Sequence, residues 1–327
     1  MDDPSVDFYG TGDDPDAEYV CRLDSQSLET ARVELNEEPR ERMGAVKTLR
    51  RWLLQQPHLK CPTDTLFLLQ FLRSAKFSQL NARERLEAFM SARTAMPQWF
   101  CSIDTADDKL QAFFSTGYLL PLPGRTADGR KVVMQRLGAL DPTTTAYTKD
   151  SILKAACALT YFDLMNENVQ VTGFIYLVDC TNFTMKHKLY WGLDTAKKSM
   201  KLMDGFPARI KSIQYYNLGR VAESLFVLVR PFMPKKFQDR IVMHGQCLEN
   251  VYKSVPMDML PVEYLPDDYD GPNAGTIDDI VHNLKRDITQ PEVRQHILSL
   301  TNPSYGLDTS KRPRDALKES FRKLIVD

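Results

Sequence analysis

The chain has 327 residues, of which 43% are hydrophobic and 26% charged. Both values are near the average for globular proteins, so they exclude a disordered, collagen-like or disulfide-dense scaffold. The 42 basic and 43 acidic side chains leave a net charge of -1 at pH 7. No global field therefore draws this chain to nucleic acid, and any binding of anions must be local.

The cysteines, histidines and apolar runs restrict the class of protein further. The six cysteines lie far apart without a Cys-x-x-Cys pair, and the five histidines show no i, i+3 or i, i+4 spacing. This pattern indicates a reduced, cytoplasmic chain without a metal site. No apolar run approaches the roughly 20 residues of a spanning helix, and the acidic start is the opposite of a leader sequence.

Composition and hydrophobic period divide the chain into four segments. Residues 1–27 carry seven acidic side chains before the first basic one, which predicts an acidic flexible tail. Residues 28–100 have a helical period throughout and predict a small all-helical domain. Residues 105–270 alternate between strand and helix periods, and residues 271–327 form a C-terminal extension with Pro, Gly and short helical pieces.

Two start signals are visible in the helical segment. Asp64 precedes a very apolar run and is placed to cap a helix. Asn81, with Glu84 three residues later, predicts a capping box that opens the next helix.

The segment 105–270 predicts an α/β domain. Its run 173–179 is almost unbroken in apolar residues, as in a central strand that is buried on both faces. Alternating strands and helices of this size predict a mixed, largely parallel sheet with crossover helices. The predicted strands cover 118–122, 132–134, 173–179 and 210–217, and the predicted helices cover 150–166 and 186–202.

Signatures of common enzymes are missing from the sequence. It contains no glycine series for a dinucleotide or a phosphate loop, and no Gly-x-Ser-x-Gly elbow. Asp179 ends the central strand, where α/β enzymes often place a catalytic carboxylate. Without a partner base or nucleophile nearby in sequence, we interpret it as a structural Asp; a hydrolase or phosphatase that uses Asp179 is the alternative.

Residues 186–245 are strongly basic, with twelve basic side chains against four acidic ones. Arg209 and Lys211 are spaced i, i+2, which places them on one face of a strand. Lys236 and Arg240 are spaced i, i+4, the same face of a helix that Pro234 could start. Two such pairs can bracket a phosphorylated headgroup; a solvated basic face is the alternative.

Between the basic pairs lies an amphipathic segment over 221–233, which the Arg230-Pro231 dipeptide interrupts. It is either a plain core helix or a gate, which covers an apolar cavity in water and lies on a bilayer when open. The apolar gate positions are Val221, Leu225, Leu228, Val229, Phe232 and Met233.

Several ordered motifs stand at 64–77 (DTLFLLQFLRSAKF), 129–142 (GRKVVMQRLGALDP), 206–211 (FPARIK), 230–245 (RPFMPKKFQDRIVMHG) and 260–263 (LPVE). Together they resemble the CRAL-TRIO lipid-binding family, in particular its tocopherol-transfer, retinaldehyde-binding and clavesin group. The resemblance implies a helical domain followed by a CRAL-TRIO lipid-binding domain, with phosphoinositide-binding residues at Arg209, Lys211, Lys236 and Arg240. Two departures are Leu218-Gly219 after the strand and Tyr264-Leu-Pro266 after the closing motif.

We therefore expect a cytoplasmic carrier, not an enzyme, that binds one hydrophobic lipid such as a retinoid or tocopherol. It would need no cofactor and would exchange its lipid as a peripheral protein at phosphoinositide-containing membranes. An adaptor that senses phosphoinositide without moving cargo is the alternative. The residues expected to line the cavity, besides the gate, are Cys157, Tyr161, Ile175, Leu177, Leu189, Leu193, Ile213 and Tyr215.

Overall fold

The computed structural model describes residues 19–311, with the side chains of 201–204 left out. Most of the expected acidic tail (1–27) and the end of the C-terminal extension (271–327) lie outside the described residues. The helices are α1 (Ser25–Leu35), α2 (Arg42–Leu54), α3 (Thr65–Ser74), α4 (Gln79–Ala95), α5 (Pro97–Phe100), α6 (Asp108–Phe114), α7 (Lys149–Leu164), α8 (Glu167–Thr172), α9 (Met185–Gly205), α10 (Arg220–Val229), α11 (Lys235–Gln238), α12 (Glu249–Tyr252), α13 (Ile277–Ile288) and α14 (Pro291–Leu300). The strands are β1 (Leu59–Lys60), β2 (Leu119–Pro121), β3 (Lys131–Arg136), β4 (Phe174–Asp179), β5 (Ile210–Tyr216), β6 (Ile241–Met243) and β7 (Gly306–Leu307).

Local side-chain caps explain where the first helices begin. The Asp64 carboxylate accepts a hydrogen bond from the backbone N–H of Phe67 at 2.9 Å, so the predicted cap of α3 is confirmed. The capping box predicted at Asn81 and Glu84 is wrong. Helix α4 already begins at Gln79, because the Ser78 hydroxyl accepts the backbone N–H of Asn81 and places that residue in the first turn.

The main sheet has five strands in the order β2-β3-β4-β5-β6. Strand β2 is antiparallel to β3, and the remaining neighbours are parallel. The prediction of a mixed, largely parallel sheet with crossover helices is therefore confirmed. The sequence did not reveal β6, whose three residues are too few for a clear period.

The two faces of this sheet differ in their packing. Ile175 and Leu177 of β4 join a buried cluster with Leu260 and Ile280, which covers one face. Tyr176 and Val178 point to the other face, towards α7, α9 and α10. This second face positions the candidate site.

A buried ionic network joins the helical segment to the α/β domain. The Arg73 guanidinium is fully buried and lies 2.9 Å from a Glu37 oxygen and 2.8 Å from a Glu167 oxygen. Arg42 forms a further buried pair with Glu37. Because removal of one partner from a buried pair leaves an uncompensated charge, this network holds α3 against α8.

Candidate functional site

A cavity of about 280 Å³ lies between the second face of the sheet and helices α7, α9 and α10. Its walls are mostly apolar and aromatic, which is typical of sites for small hydrophobic molecules. Six of the sequence-derived cavity and gate residues line it, namely Cys157, Ile213, Tyr215, Leu225, Val229 and Met233.

Two of the expected lining residues lie on the wrong side of the sheet. Ile175 and Leu177 are buried in the filled face, because successive side chains of a strand alternate between faces. The apolar run that contains them shows no alternation, so the sequence could not assign the faces. Tyr176 and Val178 line the cavity in their place.

Three residues that were predicted on helices also do not line the cavity. Tyr161 packs in the core against Phe206, with ring centroids 5.2 Å apart, and does not line the cavity. Leu189 and Leu193 are exposed. Gly192 has φ 62° and ψ 166°, so it breaks α9 and shifts the helical phase that the prediction assumed. Trp191, Ala196 and Met200 line the cavity instead.

Helix α10 and the 3-10 turn after it (Arg230–Phe232) lie over the cavity. We call residues 220–232 the cover. Leu225, Phe226 and Val229 point inward, and Val221 is half-buried beside them. On the outside, Leu228 and Phe232 are 50% and 48% exposed, so these two gate residues do not line the cavity. The segment thus presents apolar side chains both to the cavity and to solvent.

A few polar side chains interrupt the apolar walls. The Gln135 amide donates a hydrogen bond to the Tyr118 hydroxyl at 2.9 Å. Thr160 and Asp163 of α7 and Tyr176 of β4 also line the cavity. Burial raises the pKa of Asp163 to about 6, although the positive charge of Lys131 opposes this effect.

The N-terminal edge of the parallel strands is basic. Arg130, Arg209 and Arg240 each stand directly before a strand, respectively β3, β5 and β6. Arg240 is close enough to Arg209 for its charge to lower the pKa of that guanidinium, after the larger effect of burial. We call Arg130, Arg209, Lys211 and Arg240 the basic edge.

Glu34 of α1 is bound to this basic edge. One of its carboxylate oxygens lies 2.8 Å from the Arg209 guanidinium and 2.5 Å from the Lys211 ammonium group. Burial would raise the Glu34 pKa, but the hydrogen bonds from Lys211 and Arg209 hold it at about 2. The two basic side chains therefore converge on one anionic group, as their i, i+2 spacing predicts.

The second basic pair differs from the prediction. Helix α11 ends at Gln238, so Lys236 lies on the helix and Arg240 lies beyond it, next to β6. The Lys236 ammonium group lies 4.9 Å from the centre of the Phe237 ring, and Arg240 donates to the Ile210 carbonyl. The shared helix face is therefore wrong, because the helix is too short.

The sequence did not identify Glu34, Arg130 or Asp163 as parts of these sites. Glu34 is 175 residues from Arg209, and no local pattern reports such a contact. Arg130 lies two residues before the predicted strand 132–134 and directly before the observed β3, a position that could have indicated an edge. Asp163 stands in α7, whose sequence pattern identifies its apolar residues alone.

Asp179 is engaged in structural hydrogen bonds. One of its oxygens accepts the backbone N–H of Thr181 at 2.8 Å and the Thr181 hydroxyl at 2.5 Å. The other accepts the Tyr264 hydroxyl, from the residue at which the closing motif departs from the family pattern. These bonds match the interpretation of Asp179 as structural. In the part of the chain whose side chains the structure describes, no group of three or more His, Cys, Asp and Glu residues could hold a metal ion.

Comparisons with known proteins agree with this architecture. Residues 115–264 match the model of the CRAL/TRIO domain. The chain is 30% identical over 267 residues to the human protein named alpha-tocopherol transfer protein-like, which covers 81% of this chain and 75% of the relative. The chain belongs to the CRAL-TRIO family. The mouse protein of the same name is 29% identical over 262 residues, covering 80% of this chain and 74% of the relative.

Further matches complete the description of this CRAL-TRIO protein. It is 28% identical to human clavesin-2 over 244 residues, which is 74% of each chain. Residues 38–110 match the Pinta-like, UBA domain, so the N-terminal helical region contains a UBA-like domain. The family binds small hydrophobic lipids, which places the protein among lipid carriers in general. Among the described residues, no helix is long and apolar enough to cross a membrane.

Proposed function

We propose that this CRAL-TRIO protein is a cytoplasmic carrier of one hydrophobic lipid, such as a retinoid or tocopherol, which it exchanges at phosphoinositide-containing membranes. The observation that carries the proposal is the apolar cavity under α10, a cover whose outer side is also apolar. Burial of ligand surface would supply the affinity, at about 25 cal/mol per Å² of apolar area.

The cover can exchange one apolar environment for another. In water its inner residues Leu225 and Val229 close the cavity, whereas Leu228 and Phe232 face solvent. The Lys197 ammonium group lies 3.8 Å from the centre of the Phe232 ring, a contact that holds the closed cover against α9. On a bilayer the outer residues would enter the lipid, so opening would cost less than in water.

The basic residues Arg209, Lys211, Lys236 and Arg240 would bind the phosphoinositide headgroup. In the absence of membrane, the Glu34 carboxylate forms ion pairs with Arg209 and Lys211. A phosphate group carries more charge and more acceptor oxygens than a carboxylate, so it can replace Glu34 at these two donors. Headgroup binding would therefore be an exchange of anions at the basic edge.

Transfer of a fluorescent retinoid or tocopherol analogue between vesicles tests the proposal. We expect transfer to be faster when the acceptor vesicles contain phosphoinositide. We expect the double variant Lys236→Ala/Arg240→Ala to lose this acceleration, whereas Lys47→Ala/Arg51→Ala, with the same charge change on exposed residues of α2, retains it. Binding to vesicles without transfer of any analogue would instead indicate the adaptor.

A further inference from the structure

Asp163 of α7 is an acidic side chain that lines the cavity and is only 6% exposed. Among the residues that the structure describes, none donates a hydrogen bond to its carboxylate. The nearest opposing charge is Lys131, whose ammonium group donates to the Leu122 carbonyl at 2.7 Å.

A carboxylate in such a position is costly without a partner. Burial of an ionised group in an apolar environment destabilises a protein unless hydrogen bonds compensate it. Burial raises the pKa of Asp163 to about 6, and the ionised form of the group acts only as an acceptor. Within the described part of the chain it has no donor, because the nearby Tyr176 phenol interacts with it through charge and does not donate a hydrogen bond to it.

Two further side chains make a polar corner around Asp163. Thr160 stands three residues earlier on α7, and both residues line the cavity. Tyr176 reaches the same place from β4, where the Asp163 charge and the Thr160 hydroxyl both act on the pKa of its phenol, after the dominant effect of burial. The Thr160 hydroxyl donates to the Ala156 carbonyl at 2.8 Å, so its hydrogen is already used within the helix.

We infer that Asp163 accepts a hydrogen bond from the polar end of the bound lipid, and that the cargo is a lipid whose polar group is a hydroxyl. This inference rests on the proposed carrier function and names the class of ligand. A lipid carboxylate would be repelled by Asp163, since like charges in a low dielectric repel strongly. An ammonium group would leave a second desolvated charge in the cavity. A hydroxyl donates a hydrogen bond to the carboxylate without adding charge.

Two matched pairs of ligands test this assignment: retinol with retinyl acetate, and α-tocopherol with α-tocopheryl acetate. Each acetate keeps the apolar body but has no hydroxyl to donate. Dissociation constants can be measured on lipid-stripped full-length protein by quenching of Trp191, which lines the cavity. We expect the alcohol of at least one pair to bind about tenfold tighter than its acetate or better, as for a buried hydrogen bond to a charged group.

The variant Asp163→Leu separates hydrogen bonding from shape. We expect it to remove most of the preference for the alcohol, with folding checked by circular dichroism. Asp163→Asn keeps the size and one acceptor oxygen, so it should retain part of the preference. Asp258→Leu makes the same change at an exposed position outside the cavity, and it should retain the whole preference.

The outcomes distinguish this inference from the function on which it rests. Equal binding of alcohol and acetate in the unmodified protein, or a preference that Asp163→Leu leaves unchanged, would overturn the role of Asp163 while the carrier stands. Failure of all four ligands to bind would overturn the proposed retinoid or tocopherol carrier itself, and the inference with it.

Discussion

The two faces of the main sheet both carry apolar side chains, but only one of them is filled. Ile175 of β4 and Ile213 of β5 lie on neighbouring strands and are 2% and 3% exposed. Ile175 packs within a continuous core, whereas Ile213 borders the cavity. Low exposure therefore does not distinguish a packed side chain from one that lines an enclosed space. In this protein one face stabilises the fold and the other is available to a ligand.

The largest effect that separates the faces is expected from truncation of these two isoleucines. Ile175→Ala should lower the free energy of unfolding by about 2–5 kcal/mol, because it opens a void in a packed core. Ile213→Ala should cost less, because its side chain already has empty space on one side. Urea unfolding of the ligand-free variants measures both values. Equal losses would contradict the distinction between a filled and a hollow face.

A smaller effect should come from the outer side of the cover. Leu228→Asp places a charge where we expect α10 to enter the bilayer, so vesicle-stimulated ligand release should fall about tenfold. Ligand affinity in buffer should change little, because Leu228 is half exposed and does not line the cavity.

Val262→Asp is the matched control for the cover, since Val262 is an apolar residue, 41% exposed, outside the segment 221–233. It should leave vesicle-stimulated release unchanged. If Leu228→Asp releases ligand on vesicles as fast as this control, the cover does not act through the bilayer.

The smallest expected effect comes from removal of the charge of an exposed glutamate, which we compare with a buried one. Glu37 and Glu34 both bind arginines, but Glu37 is buried with Arg73, whereas Glu34 is exposed at the basic edge. Glu34→Gln should therefore leave the fold intact and increase the affinity for phosphoinositide vesicles about threefold to tenfold, because a competing anion is removed. Glu29→Gln removes an exposed charge from the same helix and should change vesicle affinity little. Unchanged binding by Glu34→Gln, measured by vesicle sedimentation, would mean that headgroups bind elsewhere.

Local patterns in the sequence were sufficient for the mixed, largely parallel sheet, although not for its short strand β6. The sheet, the α3 cap and the convergence of Arg209 and Lys211 follow from periods and spacings of a few residues. Features that depend on distant contacts, on which face of a strand is buried, or on the rotational phase of a helix were not predictable. Ile175 and Leu177 lie in a run that is apolar on both faces, and Leu189 and Leu193 depend on the break at Gly192.

The central claim is that the hollow face holds a lipid which a membrane releases, and stopped-flow fluorescence tests it most directly. Protein loaded with a fluorescent retinoid or tocopherol analogue is mixed with buffer containing an excess of unlabelled ligand, or with vesicles with and without phosphoinositide. We predict slow release in buffer and release at least tenfold faster on phosphoinositide vesicles, because the cover opens into the bilayer. Equal release rates in buffer and on phosphoinositide vesicles would contradict the account.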